Sequence, residues 1–245
     1  MIINFKIWFK KYWRWIILII VAAGFFIGTA SFNYYAQPDD FIKWLSPDES
    51  ANYNFTKLYA QEKRLSFFEK YNLLADDIMH PRSYRSDQGT IKPVSFLGLI
   101  LIYGTIAGLT TYKILPFLTP MFAAIGLIFY FLLIKEVFGK RNALISAVLA
   151  ASLPPLIYYS ARSMFHNVLF VVLLIISFYF AVIMVKDKKS SVPEVKPFKF
   201  KILKFLPDVY AALAGACLGL AVIVRSAELI WLIPGWLALW IFNIK

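Results

Sequence analysis

The sequence predicts an all-α integral membrane protein with about six transmembrane helices and one long external loop after the first helix. Two observations lead to this fold class. Of the 245 residues, 60% are hydrophobic and only 16% are charged, which is more apolar surface than a soluble core of this size buries. Several uncharged runs also reach the roughly 20 residues that cross a hydrocarbon layer of about 30 Å. The composition therefore excludes an ordinary soluble protein.

The first apolar run follows a basic N-terminus and extends from Trp15 to about Phe32. It also resembles a signal peptide, with Thr29-Ala30-Ser31 as the cleavage region. Its length, and the tryptophans at its start, favour a permanent span with an aromatic belt. Residues 1–32 are therefore expected to form a cytoplasmic N-terminus and the first span.

Residues 33–113 form the second predicted segment, an external loop. Asn33 to Lys92 is polar, holds most of the acidic residues and contains two helical-looking pieces, so amphipathic or juxtamembrane helices are expected there. Val94 to Thr111 is apolar, but Gly98, Gly104 and Gly108 make it a weaker rigid span.

The basic residues decide whether the run from Val94 to Thr111 crosses the membrane, because short cytoplasmic loops carry an excess of Lys and Arg. If the N-terminus is inside and the run crosses, only 7 of the 26 basic residues lie inside. If the run instead lies in or re-enters the outer leaflet, 15 lie inside and 11 outside. The second arrangement leaves six spans and satisfies the rule, while a seventh, glycine-containing span remains the alternative.

Residues 114–245 are predicted to form the rest of the bundle, with five helices. The runs are Ile114 to Ile134, Ala143 to Tyr159, Val168 to Val185, Val209 to Val224 and Leu229 to Ile244. The lysine-rich stretch from Lys186 to Phe205 is then a cytoplasmic loop near anionic headgroups. The net charge of +12 is thereby attributed to membrane topology and not to nucleic acid. The bundle is expected to be incomplete at its C-terminal end.

Two adjacent acids follow the first span, and they have two interpretations. Asp48 or Glu49 can act as a general base that deprotonates an incoming hydroxyl. Alternatively, Ser46, Pro47 and Glu49 have the spacing of a helix capping box, which spacing alone favours. Both hold together if Glu49 caps the helix while Asp48 points outward.

Basic and polar residues at the outer ends of the spans are the other candidates. Arg162 is suited to grip a phosphate through its planar fork, or it is a terminal arginine that extends to the interface. Arg225 either binds a lipid phosphate or pairs with Glu228 three positions on. His80, Arg82 and Lys92 form an anionic-substrate funnel or ordinary loop charge. His166 has no histidine or carboxylate near it at a metal-ligand spacing, and Cys217 is the single cysteine, so the sequence predicts no metal site.

The order of these pieces resembles the GT-C glycosyltransferases of the protein O-mannosyltransferase and aminoarabinose-transferase type. In that family an acidic pair follows the first span, and it corresponds to Asp48-Glu49 in this sequence. The later motifs of the family correspond to Lys92-Pro93-Val94-Ser95-Phe96 or His80-Pro81, Phe138-Gly139-Lys140-Arg141, Leu153 to Arg162, and Gly219 to Arg225. The resemblance covers nearly the whole chain. The sequence departs from the family pattern where many relatives carry a carboxylate five positions after the arginine, because Asn167 stands there.

The resemblance implies inverting transfer of a sugar from a polyprenyl-phosphate carrier to a hydroxyl acceptor on a protein, lipid or glycan at the outer membrane face. Asp48 is then the base, beside Glu49. The implied contacts to the substrate phosphate are Arg225, Arg162, His80, Arg82 and Lys92, and the candidate acceptor or donor contacts are His166, Asn167 and Tyr159. No cofactor is expected, and the resemblance leaves a divalent metal open. The alternative is a non-catalytic transporter or flippase subunit for lipid-linked sugars, which would carry charges along a path near the bilayer centre.

Overall fold

A computed structural model describes residues 2–35, 46–94, 96–190 and 206–243. Helices account for most of these residues, and the structure is that of an all-α membrane protein with one small sheet in the predicted external loop. The first helix, α1 (Ile2–Tyr35), contains the predicted first span. It packs against the helices of the later bundle, where Leu18 and Phe25 are buried.

The predicted external loop contains two helices, and it also contains a sheet that the sequence does not predict. The helices are α2 (Pro47–Glu62) and α3 (Lys70–Leu74), and the strands are β1 (Phe67–Phe68), β2 (Tyr84–Asp87) and β3 (Thr90–Pro93). The strands pair antiparallel in the order β1-β3-β2. Asp77 holds the turn between β2 and β3, since its carboxylate accepts hydrogen bonds from the backbone N–H groups of Gln88 and Gly89 at 2.6 and 2.7 Å.

The apolar run after the sheet is helical, as the sequence predicts, and forms α4 (Leu97–Leu109). A helix of 13 residues is about 20 Å long, which is shorter than a hydrocarbon layer of about 30 Å. α4 packs against α2 and the later helix α9 (Leu206–Val224). Its length favours the predicted position in the outer leaflet, which stays a prediction.

The central bundle is formed by α5 (Leu115–Phe138), α8 (His166–Ser190) and α9. A 3₁₀ turn, Tyr112–Ile114, precedes α5. α8 packs against both α5 and α9, and α5 also packs against α1. A tight turn follows α5 at Gly139, whose φ of 86° lies in the left-handed region that favours glycine.

One predicted span is bent, and two others meet at a sharp bend. The first consists of α6 (Lys140–Ala151) and α7 (Pro154–Arg162), whose axes differ by 56°. The break follows from Pro154 and Pro155, because a proline disfavours helical backbone in the residue before it and removes a backbone donor. α9 also bends sharply, by 114°, into a 3₁₀ turn, Ser226–Glu228, and α10 (Leu229–Asn243).

These bends affect the span count. Within the described residues, three helices are long and apolar enough to cross a membrane, or up to five if each bent pair is one span. The sequence-based count of six is higher because it treats α9 and α10 as separate spans, and it stays a prediction. The predicted cytoplasmic loop falls mostly on residues 191–205, which lie outside the described residues.

Candidate functional site at the outer ends of the helices

The predicted acidic pair lies at the start of α2, where its two carboxylates point in different directions. Ser46 caps the helix and Glu49 closes a capping box, accepting the Ser46 N–H at 3.1 Å. The Glu49 side chain is buried, whereas Asp48 is exposed. Asp48 accepts a hydrogen bond from the Ser83 hydroxyl, which ties it to the loop before β2. The capping box is therefore present, and Asp48 points outward as expected.

Glu49 forms a paired salt bridge with Arg162 at the end of α7. The Arg162 Nε donates to Glu49 Oε1 at 3.2 Å and its Nη2 to Oε2, while Nη1 donates to the Tyr158 hydroxyl. The Glu49 side chain is 1% exposed and that of Arg162 21%. Burial raises the pKa of Glu49 above its ordinary value, and the guanidinium opposes this. The sequence predicts Arg162 either as a contact to a phosphate or as an arginine that extends to the interface. It does not predict the pairing of Arg162 with Glu49.

The start of α8 and the end of α9 hold a second group of predicted residues, which interacts electrostatically with Asp48. His166 Nε2 lies 3.1 Å from the Phe96 carbonyl, and the His166 ring interacts electrostatically with both Asp48 and Arg225. Arg225 donates from Nη1 to Asn167 Oδ1, and its Nε lies 2.9 Å from Glu228 Oε1. The predicted pairing of Arg225 with Glu228 is thus present.

Three elements that are far apart in the sequence therefore meet in the structure. These are the start of α2, the connection from α7 to α8, and the turn that follows α9. Spacing alone cannot show this convergence, because Glu49 and Arg162 are 113 positions apart in the chain.

Three further predicted residues lie in β3 and in the loop before β2. His80, Arg82 and Lys92 are exposed there. Lys92 forms a salt bridge with Asp87 at 3.0 Å, and His80 Nδ1 lies 3.2 Å from the Pro81 carbonyl. Surface pairs of this kind contribute little stability. Both interpretations of these residues, an anionic-substrate funnel and ordinary loop charge, therefore still apply.

Four polar residues at the site are absent from the predicted set: Asn33, Asn52, Ser83 and Ser163. Asn33 is 5% exposed and donates to Ser163 Oγ at 2.6 Å, and Asn52 is fully buried and donates to the Met164 carbonyl at 2.8 Å. Asn33 has a weak signal in the sequence, as a polar residue directly after an apolar run. The other three lie in polar stretches and have no local signal.

An apolar groove of about 390 Å³ lies between α5, the break from α6 to α7, and α8. Its walls are mainly the aliphatic side chains of these helices, with Leu153, Leu156, Val168 and Val171 among them. Tyr159 and Asn167 also line it, and Asn167 is the residue that accepts from Arg225. The groove thus adjoins the second group of site residues. Among the described residues, no three His, Cys, Asp or Glu side chains are grouped so that they could hold a metal ion.

Comparison with known proteins adds one finding. No curated protein and no solved structure matches the chain. Residues 96–192, about two fifths of the chain, match the family model described as dolichyl-phosphate-mannose-protein mannosyltransferase. This region contains α4 to α8, with Arg162, His166 and Asn167. The match is consistent with the GT-C glycosyltransferases that the sequence resembles.

Proposed function

We propose that the protein transfers a sugar from a polyprenyl-phosphate carrier to a hydroxyl acceptor at the outer membrane face, with inversion at the anomeric carbon. The acceptor oxygen forms the new bond to that carbon, and the bond from carbon to phosphate oxygen breaks. The electron pair of the broken bond stays on the lipid phosphate, and the acceptor proton goes to Asp48. The observation that carries the proposal is the exposed Asp48 carboxylate, which interacts electrostatically with the His166 ring, as Arg225 also does, in a chain of which residues 96–192 match a mannosyltransferase family model.

Asp48 is the better base of the acidic pair because of its surroundings. The Glu49 carboxylate is enclosed and bound to Arg162, so an acceptor hydroxyl cannot approach it without breaking that pair. Asp48 is exposed and accepts from Ser83, which orients the carboxylate while leaving it open to solvent. A general base has to lie within hydrogen-bond reach of the proton that it removes.

Arg225 is the stronger candidate for the departing phosphate. Its contacts to Asn167 and Glu228 use two of the five N–H donors of a guanidinium. Fixed cations of this kind stabilise charge that develops on a leaving group. Arg162 acts instead through Glu49, by fixing the start of α2 that carries Asp48, and His80, Arg82 and Lys92 serve the approach of substrate.

The apolar groove suits the isoprenoid part of the donor. A prenyl chain has no hydrogen-bonding groups, and the groove walls are aliphatic. Asn167 links the groove to Arg225, so a lipid chain in the groove would bring its phosphate towards that arginine. A transporter for the same lipid would also need such a groove, but it would not need a carboxylate base beside it.

Replacement of Asp48 by Asn tests the proposal. Asparagine keeps the size of the side chain and is accepted near a helix N-terminus, but it cannot take up the proton, so transfer should fall by about a hundredfold to ten-thousandfold. The assay measures sugar transfer by the full-length protein in membranes supplied with a polyprenyl-phosphate sugar. Asp76→Asn is the matched control, since Asp76 is also an exposed loop acid. Near-normal turnover by Asp48→Asn would falsify the role of Asp48, and donor binding without any transfer would favour the non-catalytic alternative.

A further inference from the structure

The connection between α7 and α8 has an unusual backbone. Ser163 has φ 57° and ψ −176°, and Met164 follows with φ 49°. Residues with a Cβ rarely adopt positive φ, and two such residues in succession are less common still. Conformations of this kind persist only where surrounding contacts hold them, and they are concentrated at functional sites.

Three other parts of the fold hold this turn. The Ser163 hydroxyl donates to the Pro116 carbonyl of α5 at 2.6 Å and accepts from Asn33 Nδ2 of α1 at 2.6 Å. Asn33 Nδ2 also lies 2.5 Å from the Pro116 carbonyl. Asn52 of α2 donates to the Met164 carbonyl. Ser163 and Met164 are both 0% exposed, so these contacts are shielded from water.

The strained turn separates the two groups of site residues. Arg162 directly precedes the turn and binds Glu49, the neighbour of the proposed base. His166 and Asn167 follow the turn, and they contact Phe96 and Arg225, respectively. Only residues 163–165 connect the two groups along the chain. A change in the backbone of this turn therefore alters the distance between the acidic pair and the Arg225 side of the site.

We propose that Ser163, anchored by Asn33, is a positioning residue that sets this distance, and the proposal rests on the function proposed above. Ser163 touches neither reacting group, and it acts through Arg162 and His166. The strain is retained because a relaxed turn would place these two side chains differently. Misplacement of catalytic groups by about 1 Å can cost a hundredfold in rate.

Ser163→Gly tests the proposal, because glycine accepts positive φ without strain but lacks the hydroxyl. We expect kcat to fall about tenfold to a hundredfold, with KM for the polyprenyl-phosphate sugar little changed and thermal stability not reduced in proportion. Gln88→Gly is the matched control. Gln88 also has positive φ, 49°, in the exposed turn between β2 and β3, and its replacement should leave kcat unchanged.

Asn33→Ala provides a second test if the glycine variant does not fold, since it removes the anchor and leaves the turn sequence intact. It should lower kcat by a similar factor, and the double variant should lose little more than either single variant, because both substitutions remove the hydrogen bond between Asn33 and Ser163. If Ser163→Gly and Asn33→Ala keep kcat within twofold while Asp48→Asn is inactive, the positioning role is wrong and the function stands. If Asp48→Asn is also active, the proposed function itself has failed.

Discussion

The buried ion pair between Glu49 and Arg162 makes a prediction at the scale of single residues. Removing one partner of such a pair leaves the other charge buried without compensation, which typically costs about 3–5 kcal/mol. We therefore expect Arg162→Ala to lower the free energy of unfolding by about that amount, measured by denaturant titration of the purified protein in detergent. Arg64→Ala is the control, because Arg64 and Glu62 form a pair that is 61% and 52% exposed, and its loss should cost less than about 1 kcal/mol.

The pH dependence of the Arg162→Ala variant follows from the surroundings of Glu49. Burial already raises the pKa of Glu49, and loss of the guanidinium raises it further. A carboxyl whose pKa is higher in the folded than in the unfolded state destabilises the fold as the pH rises through that folded pKa. The deficit of Arg162→Ala should thus shrink as the solution is acidified below neutral pH. A deficit that does not shrink on acidification would contradict the assignment of the destabilisation to a buried carboxylate.

Local and distant contacts differ in how well the sequence predicts them at this scale. The capping box at Ser46 and Glu49 could be predicted because all its atoms come from four consecutive residues. The partner of Glu49 could not, since Arg162 is brought to it only by the packing of α7 and α8 in the bundle. The roles of Asn52 and Ser163 could not be predicted either, because only the fold brings Asn52 of α2 to the turn that contains Ser163.

At the scale of elements, α4 is fixed by close contact with its neighbours. A Cβ placed on Gly98 would lie under 3.0 Å from backbone atoms of Ile223 and Val224 in α9. We expect Gly98→Ala to destabilise the protein by about 1–3 kcal/mol, as other overpacking changes do, because backbone cannot move aside as a side chain can. Thermal unfolding in detergent measures the effect.

Gly215→Ala in α9 is the control for this substitution. A Cβ on Gly215 has no atom within 4 Å, so alanine should be neutral or stabilise the helix by about 0.5–1 kcal/mol. Equal stability of the Gly98→Ala and Gly215→Ala proteins would show that α4 and α9 do not pack as described. The contrast depends on position alone, since the substitution is the same.

The sequence predicts helices better than it predicts strands in this chain. Long apolar runs of uniform character leave little choice of structure, and every one of them is helical in the described residues. The strands β1, β2 and β3 contain two to four residues, which is too short for an alternating pattern to be recognised. The predicted span from Ala143 to Tyr159 is interrupted where the backbone chemistry of Pro154 predicts a break, yet its direction after the break depends on packing against α1 and α5.

At the scale of the whole molecule, the six-span prediction rests on charge and not on the structure. Charge counts give the orientation of the spans but not their bends, so the sharp turn after α9 has no signal in them. The meeting of Glu49 with Arg162 and of Asn167 with Arg225 requires only that their helix ends share one face. The side of the membrane on which that face lies depends on the distribution of basic residues.

Cysteine accessibility tests this orientation. Cys217 is the only native cysteine and is first replaced by alanine. The orientation that leaves 15 of the 26 basic residues inside makes the basic stretch after α8 cytoplasmic. In that orientation, Ser190→Cys should react with a membrane-impermeant reagent only after the cells are opened. Gln88→Cys, in the external loop, should react in intact cells. Labelling of Ser190→Cys from outside intact cells would reverse the orientation and place the acidic pair on the cytoplasmic face, where an externally acting transferase could not use it.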